Sequence, residues 1–233
     1  MSFAFGHTSH AFEAELKELR AATVAMGDRC RRALSKALEA FRGGSHDLAR
    51  EVRQLDSQVN RDEMAIDALT LRILALRQPV ASDLRFLAMA LKLVTDLERI
   101  GDEAVNIADR VEDGHCAIGG ESYAAIERMS DEAQKMLSAA LDAFLEGDEE
   151  RAKAVLVQDD VVDDLYGKTM RGVEEYMMAH PAEIRAALSV MSVAKYIERI
   201  ADHATNIAEE VVFMVRGEDV RHRKSVGSMS AAE

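Results

Sequence analysis

The chain has 233 residues, 48% of them hydrophobic, with 42 acidic side chains against 29 basic ones and a formal net charge of −13. That length accommodates one large domain or two of about a hundred residues, while the acidic balance excludes broad binding to nucleic-acid phosphates and suits cation binding or simple solubility. Two prolines, no tryptophan and few aromatics exclude a sheet-based fold and indicate an all-α protein.

The first helix carries apolar or small residues at Phe12, Leu16, Leu19, Thr23, Met26, Cys30, Ala33 and Ala37, alternating steps of four and three that make a bundle seam. Gly43 and Gly44 end it, and Ser45 is suited to cap the next helix. The second repeats the spacing at Leu48, Val52, Leu55, Val59, Ile66, Leu69, Ile73 and Leu76, until Gln78 and Pro79 force a turn. Ser82 is expected to cap a third helix that runs to about Val111. A loop from Gly114 to Gly120 separates the halves, and the plan then recurs. Helix four spans Glu121 to Leu145, a turn follows at Gly147 and Asp148, helix five covers Glu149 to Met178, and His180 and Pro181 turn into helix six, Ala182 to Val215. The pattern predicts two tandem antiparallel three-helix bundles, residues 8–113 and 121–215, with a mobile tail over 216–233.

Two cysteines, Cys30 on the first seam and Cys116 in the central loop, make no disulfide framework, so a reduced, cytoplasmic setting is expected. No basic-then-apolar leader opens the chain, and the longest uncharged stretch, Ala186 to Ala194, falls far short of a membrane span. A soluble protein is the expectation.

One phrase is written twice, one hundred residues apart: ERIGDEAVNIA from Glu98 to Ala108 and ERIADHATNIA from Glu198 to Ala208, with eight of eleven positions identical. In each copy three oxygen-bearing residues recur every fourth position, Glu98, Asp102 and Asn106, then Glu198, Asp202 and Asn206, which places them in a row along one helical face. On a wheel Glu98 falls between Leu91 and Val105, at the edge of the apolar face, where a carboxylate loses hydration unless a cation or donor replaces the water. Helix two carries Asp56, Asn60, Glu63 and Asp67 one residue beyond its seam. An antiparallel turn near residues 80–81 brings Glu63 level with Glu98 and Asn60 with Asp102, to within a helical turn. A turn near residue 180 does the same for Asp163 with Glu198 and Asp159 with Asp202.

Facing acid stripes repel unless cations bind between them. Carboxylate and amide oxygens without clustered Cys or His favour Mg, Ca, Mn or iron, with Zn less typical. The second stripe is poorer, because Tyr166 and Met170 stand where the first has Glu63 and Asp67. His203, beside Asp202, points away from the Glu198 row and reads as a surface histidine.

Beyond both copies of the repeated phrase, the residues Met26 and Gly27, the run LDSQVN from Leu55 to Asn60, Ile66 and Asp67, and the run RQPVASDLR from Arg77 to Arg85 resemble the PhoU phosphate-signalling regulators over nearly the whole chain. The resemblance implies two three-helix bundles whose repeated motifs hold multinuclear metal clusters, iron first among the candidates, at the surface. It further implies a homodimer that acts as a negative regulator of the phosphate-starvation response, between the phosphate ABC transporter ATPase and a sensor histidine kinase, peripheral to the membrane only through those partners. Two other readings compete. Clustered metals on carboxylates can activate water for phosphoester hydrolysis, and the stripes can instead be salt-bridged packing surfaces. Against catalysis stand the lack of a glycine-rich phosphate loop, of a nucleophile with a neighbouring base, and of the Glu-x-x-His motif that ferritin-like bundles use.

Overall fold

Long helices with continuous apolar stripes must bury them against one another, and the turns of this chain decide in what order. The computed structural model describes residues 10–112 and 121–217. Among these are six α-helices: α1 (His10–Gly43), α2 (His46–Arg77), α3 (Ala81–Glu112), α4 (Glu121–Glu146), α5 (Glu149–Ala179) and α6 (Ile184–Arg216). The central loop with Cys116, and residues 218–233 of the expected tail, lie outside the described residues, while Arg216, assigned to that tail, still belongs to α6.

Gly44 ends the first hairpin in the left-handed region (φ 65°), a conformation open to glycine without the Cβ penalty. Ser45 then caps α2, its hydroxyl accepting from the Leu48 N–H at 3.4 Å. Asp148 does the same for α5 through the Arg151 N–H at 3.1 Å, directly after Gly147 (φ 62°). The second turn departs from expectation. Gln78 (φ 46°) and Ala81 (φ 49°) are both left-handed around Pro79 and Val80, so α3 starts at Ala81 and Ser82 lies inside its first turn instead of capping it. Proline bars its predecessor from the right-handed helical region, and the chain reverses direction by displacing the strain onto these two residues. At the equivalent point in the second half, Pro181 to Glu183 form a 3-10 turn, and α6 begins at Ile184, two residues later than the periodicity predicts.

Helices α1–α3 and α4–α6 each form an antiparallel three-helix bundle, but the bundles share one apolar core. α3 and α6 lie side by side and antiparallel: Arg85 Nε donates to the Met214 carbonyl at 3.2 Å, Lys92 pairs with Glu210 at 2.8 Å, and Arg199 pairs with Glu103 at 3.1 Å. α1 crosses α4 where Gly27 approaches Leu141 so closely that a Cβ would sit 2.4 Å from Leu141 Cδ1. Phe86 of α3 stacks on Phe144 of α4 with ring centres 5.3 Å apart. Cys30 is a free, buried thiol on the α1 seam, donating to the Leu97 carbonyl at 3.1 Å, and burial pushes its pKa far above the usual thiol range.

A shared core predicts shared stability. Leu97→Ala removes a fully buried side chain and is expected to cost about 2–5 kcal/mol. Urea denaturation should show that loss in a single transition, with hydrogen-exchange protection falling in α5 as well as in α1. Weakening confined to α1–α3 would show that the bundles unfold independently.

Candidate metal centre

α2 meets α3 along a border where each apolar stripe gives way to polar residues. On α3, Leu91, Glu98, Asp102 and Val105 are all half-buried there, with Glu98 20% exposed. On α2, Asp56, Asn60, Glu63 and Asp67 are half-buried in their turn, flanked by the fully buried Val59 and Ile66. The two stripes face each other. The Asp102 carboxylate acts on Asp56 and Glu63, and both Glu63 and Asp56 act on Glu98. Asp56 reaches furthest: its Oδ1 rests against the α3 backbone at Gly101, where a Cβ would lie 3.0 Å from it. Glycine at this motif position lets the carboxylate come down onto the helix, and the second copy has Ala201 instead.

Electrostatically the border is under tension. Burial first, and neighbouring carboxylates second, push Asp56, Glu63 and Glu98 above the ordinary carboxyl range, and burial alone raises Asp67. The nearest cation, Arg99, stands 3.5 Å from Glu98 and 3.4 Å from Asp102 with 58% of its side chain exposed. Three oxygens, Asp56 Oδ1, Asn60 Oδ1 and Asp67 Oδ1, are shut off from solvent and accept no hydrogen bond from the protein. An orphaned buried acceptor costs about 1–3 kcal/mol. The donors are hard oxygens, the orphans lie on the stripe, and the charge there is unbalanced, a set that fits Mg, Ca, Mn or iron better than thiol-loving ions. It is an open set and not a finished cage: among the described residues, no three His, Cys, Asp or Glu side chains are gathered to hold an ion.

The second half repeats the arrangement with changes. Asp159 and Asp163 of α5 act on Asp202 of α6, as the folding-back construction requires. Burial, then Glu198, raises Asp202 to about 6, although its tip is exposed. Here a lysine enters: Lys195 Nζ donates to both Glu198 oxygens, at 2.8 and 2.7 Å.

Three predicted residues behave differently from the reading of their spacing. Asn106 and Asn206 turn away from the ladders: Asn106 Nδ2 donates to Glu103 Oε2 at 3.0 Å, and Asn206 Nδ2 to Asp96 Oδ1 at 3.3 Å. His203 is not a surface histidine. Its ring is 22% exposed and its Nδ1 lies 2.8 Å from Asp96 Oδ1, so it ties α6 to α3. Asp96, Glu103 and Lys195 escaped the sequence reading, and their signal was the mismatch between repeats, since Tyr196, His203 and Thr95 occupy the matching places.

Comparison with known proteins settles the lineage. The PhoU domain family matches residues 23–111 and again 126–211. The chain belongs to the PhoU family. The phosphate-specific transport system accessory protein PhoU homolog of Pseudomonas aeruginosa is 41% identical over 220 residues, covering 93% of this chain and 90% of that protein. The phosphate-specific transport system accessory protein PhoU of Escherichia coli is 36% identical over 224 residues, 93% of this chain and 90% of that protein. Among solved structures, PhoU from Pseudomonas aeruginosa superposes with a TM-score of 0.83 at 40% identity, covering 89% of this chain and all of that one (100%). The phosphate transport system regulatory protein PhoU from Streptococcus pneumoniae gives 0.82 at 28% identity over 90% and 99%. These relatives are named as accessory and regulatory proteins, not as enzymes. Among the described residues no helix is long and apolar enough to cross a membrane.

A raised carboxyl pKa has a definite consequence for stability. Between the ordinary aspartate value and about 6, the folded chain holds a proton on Asp202 that the unfolded chain has released, so this stabilisation is present at low pH and is lost as pH rises through about 6. Asp56, Glu63, Asp67 and Glu98 act in the same sense. Chelator-stripped protein should therefore denature at lower urea as pH climbs from about 4 to about 6, and Asp202→Asn should flatten that slope. Parallel slopes in wild type and variant would remove Asp202 as a contributor.

Proposed function

We propose that this chain is a metal-binding, non-catalytic regulator of phosphate uptake, a cytoplasmic homodimer that represses the phosphate-starvation response by linking the phosphate ABC transporter ATPase to its sensor histidine kinase. The observation that carries the regulatory reading is similarity across 93% of the chain, in both repeats, to accessory proteins of phosphate-specific transport. Support for metal comes from the border itself, where five carboxylates, Asp56, Glu63, Asp67, Glu98 and Asp102, line two half-buried stripes and one oxygen each of Asp56, Asp67 and Asn60 is orphaned. Asp56, Asn60, Glu63 and Asp67 would hold ions from one side, and Glu98 and Asp102 from the other. Asp159, Asp163, Glu198 and Asp202 form the poorer second set. A bound ion supplies the positive charge these acids lack and an open coordination position for a carboxylate or phosphate oxygen of a partner. This chain's own residues provide the rigid helical rails that fix the spacing.

Iron leads among the metals by resemblance to the family, and Mn, Mg, Ca and Zn follow. Exposed apolar side chains at the two hairpin tips, Leu76, Val80 and Leu84 at one and Met178, Ile184 and Leu188 at the other, support association with other proteins.

Metal content separates this reading from a purely structural one. Glu98→Ala with Asp102→Ala should remove at least one tightly held ion per chain from protein purified without chelator or histidine tag, and circular dichroism should stay helical because the seams are untouched. Unchanged elemental content would show that these acids hold no metal, and loss of helicity would show that they hold the bundle together.

Deletion in the host should raise phosphate-starvation genes even in ample phosphate, read by transcript levels, and capture from extract should recover the transporter ATPase or the kinase. Unaltered transcripts on deletion, or a phosphoesterase activity dependent on Glu98, would defeat the regulatory reading.

A further inference from the structure

The second ladder carries its own cation. Lys195 sits one turn before Glu198 on α6, grips both carboxylate oxygens at 2.8 and 2.7 Å, and places its ammonium 5.4 Å from the centre of the Tyr166 ring on α5. The contact therefore crosses the α5/α6 groove: an aromatic face from one side and a carboxylate from the other enclose a single positive charge. Lys195 also interacts with Asp202, the next carboxylate along the row.

The first ladder has neither part. The buried seams of α2 and α5 correspond at an offset of 103 residues (Ala49, Val52 and Val59 with Ala152, Val155 and Val162), which puts Glu63 in the place of Tyr166. The repeated phrase corresponds at an offset of 100, which puts Thr95 in the place of Lys195. Thr95 is exposed and its hydroxyl donates to the Leu91 carbonyl of its own helix at 3.2 Å. These two exchanges run in one direction and Asp67 to Met170 adds to them, while Asn60 to Asp163 returns one carboxylate to the second groove. The first groove has five carboxylates and only the loosely placed Arg99; the second has four carboxylates and an ammonium held at contact distance.

An ammonium is a compact cation with three donors, and it satisfies the same oxygens a hard metal would take. We propose that Lys195, seated against Tyr166, is a built-in counter-ion that takes a metal's place at Glu198, so that the chain loads metal at the first ladder and keeps the second balanced without it. This inference rests on the metal-binding reading of the first ladder. It makes the two repeats of one chain functionally unequal: one is a metal site and the other a metal-independent copy that a metal enters only by displacing lysine. In the half that lacks the lysine, Asp56 Oδ1 lies over Gly101, whereas Ala201 stands at that position in the other half.

The test exchanges residues between ladders and measures manganese(II) binding to the full chelator-stripped chain by electron paramagnetic resonance of the free ion. Lys195→Thr with Tyr166→Glu should create a second class of sites at least tenfold tighter than any second-ladder binding in wild type, abolished by adding Glu198→Gln. Thr95→Lys alone, which removes no ladder oxygen, should weaken the first ladder at least tenfold, and it keeps the test decisive if the first pair impairs folding. Circular dichroism accompanies each variant. A folded Lys195→Thr, Tyr166→Glu chain that binds no more than a wild type that does bind would overturn the lysine inference and leave the first-ladder reading standing. A wild type that binds nothing while this variant binds would sustain the lysine inference and remove the first ladder. Absence of binding in both would overturn both.

Discussion

The structure turns on how much of α3 and α6 must be hidden. α3 packs against α1, α2 and α6 at once, and α6 against α4, α5 and α3. Its buried positions run from Phe86 to Val111 and include Leu87, Leu93, Val94, Leu97, Ile100, Ala104, Ile107 and Ala108, an arc far wider than the single stripe of a surface helix. A helix so enclosed has only a narrow strip for polar groups. Glu98 and Asp102 occupy that strip, so their partial loss of water follows from packing, and the rise of Glu98 above the ordinary carboxyl range follows from that burial first and from the neighbouring carboxylates second. The chemistry of the ladders is thus a by-product of a core requirement, turned to use where α2 supplies a second row of oxygens.

Leaving buried acceptors without donors and acids without counter-ions works against folding, and a domain of this size has a margin of only about 5–15 kcal/mol. The long uninterrupted seams make such a border tolerable. Local chemistry that opposes stability while the surroundings support it marks a site kept for function. The two halves answer the same problem unequally. In the first, Gly101 admits the Asp56 carboxylate and the excess charge stands; in the second, aromatic and ammonium groups fill the groove.

Helix periodicity made much of this legible. The seam at Phe12, Leu16, Leu19, Met26 and Cys30 is buried as its spacing requires, the Gly43 to Ser45 turn forms where those residues place it, and the acid rows of α2 and α3 face each other in the expected register. The misses at His203, Asn106 and Asn206 share one cause. Helical phase states which way a side chain leaves its own axis, and is silent about what stands in that direction. His203 does point away from the Glu198 row, yet away means toward α3, because the bundles dock through α3 and α6. Asn106 and Asn206 turn to that same seam. Lys195 was hidden differently: it lies outside the repeated phrase, three residues before Glu198, and only the approach of Tyr166 from another helix gives it meaning. The start of α3 at Ala81 reflects turn strain around Pro79, which no side-chain pattern encodes.

The ion pairs along the α3/α6 seam also act as a lock on self-recognition. Suppose α3 of one chain lay against α3 of another in the place α6 now holds. Lys92, which pairs with Glu210, would meet Arg110, and Asp96, which pairs with His203, would meet Glu103. At Lys92 and Asp96 the first half therefore meets like charge from its own copy where it attracts the second half, and only Arg99 would find an acid, Glu103. A first half on its own thus offers a seam whose charges favour α6 over a second α3, so the order in which the two halves meet is biased by electrostatics as well as by chain connectivity.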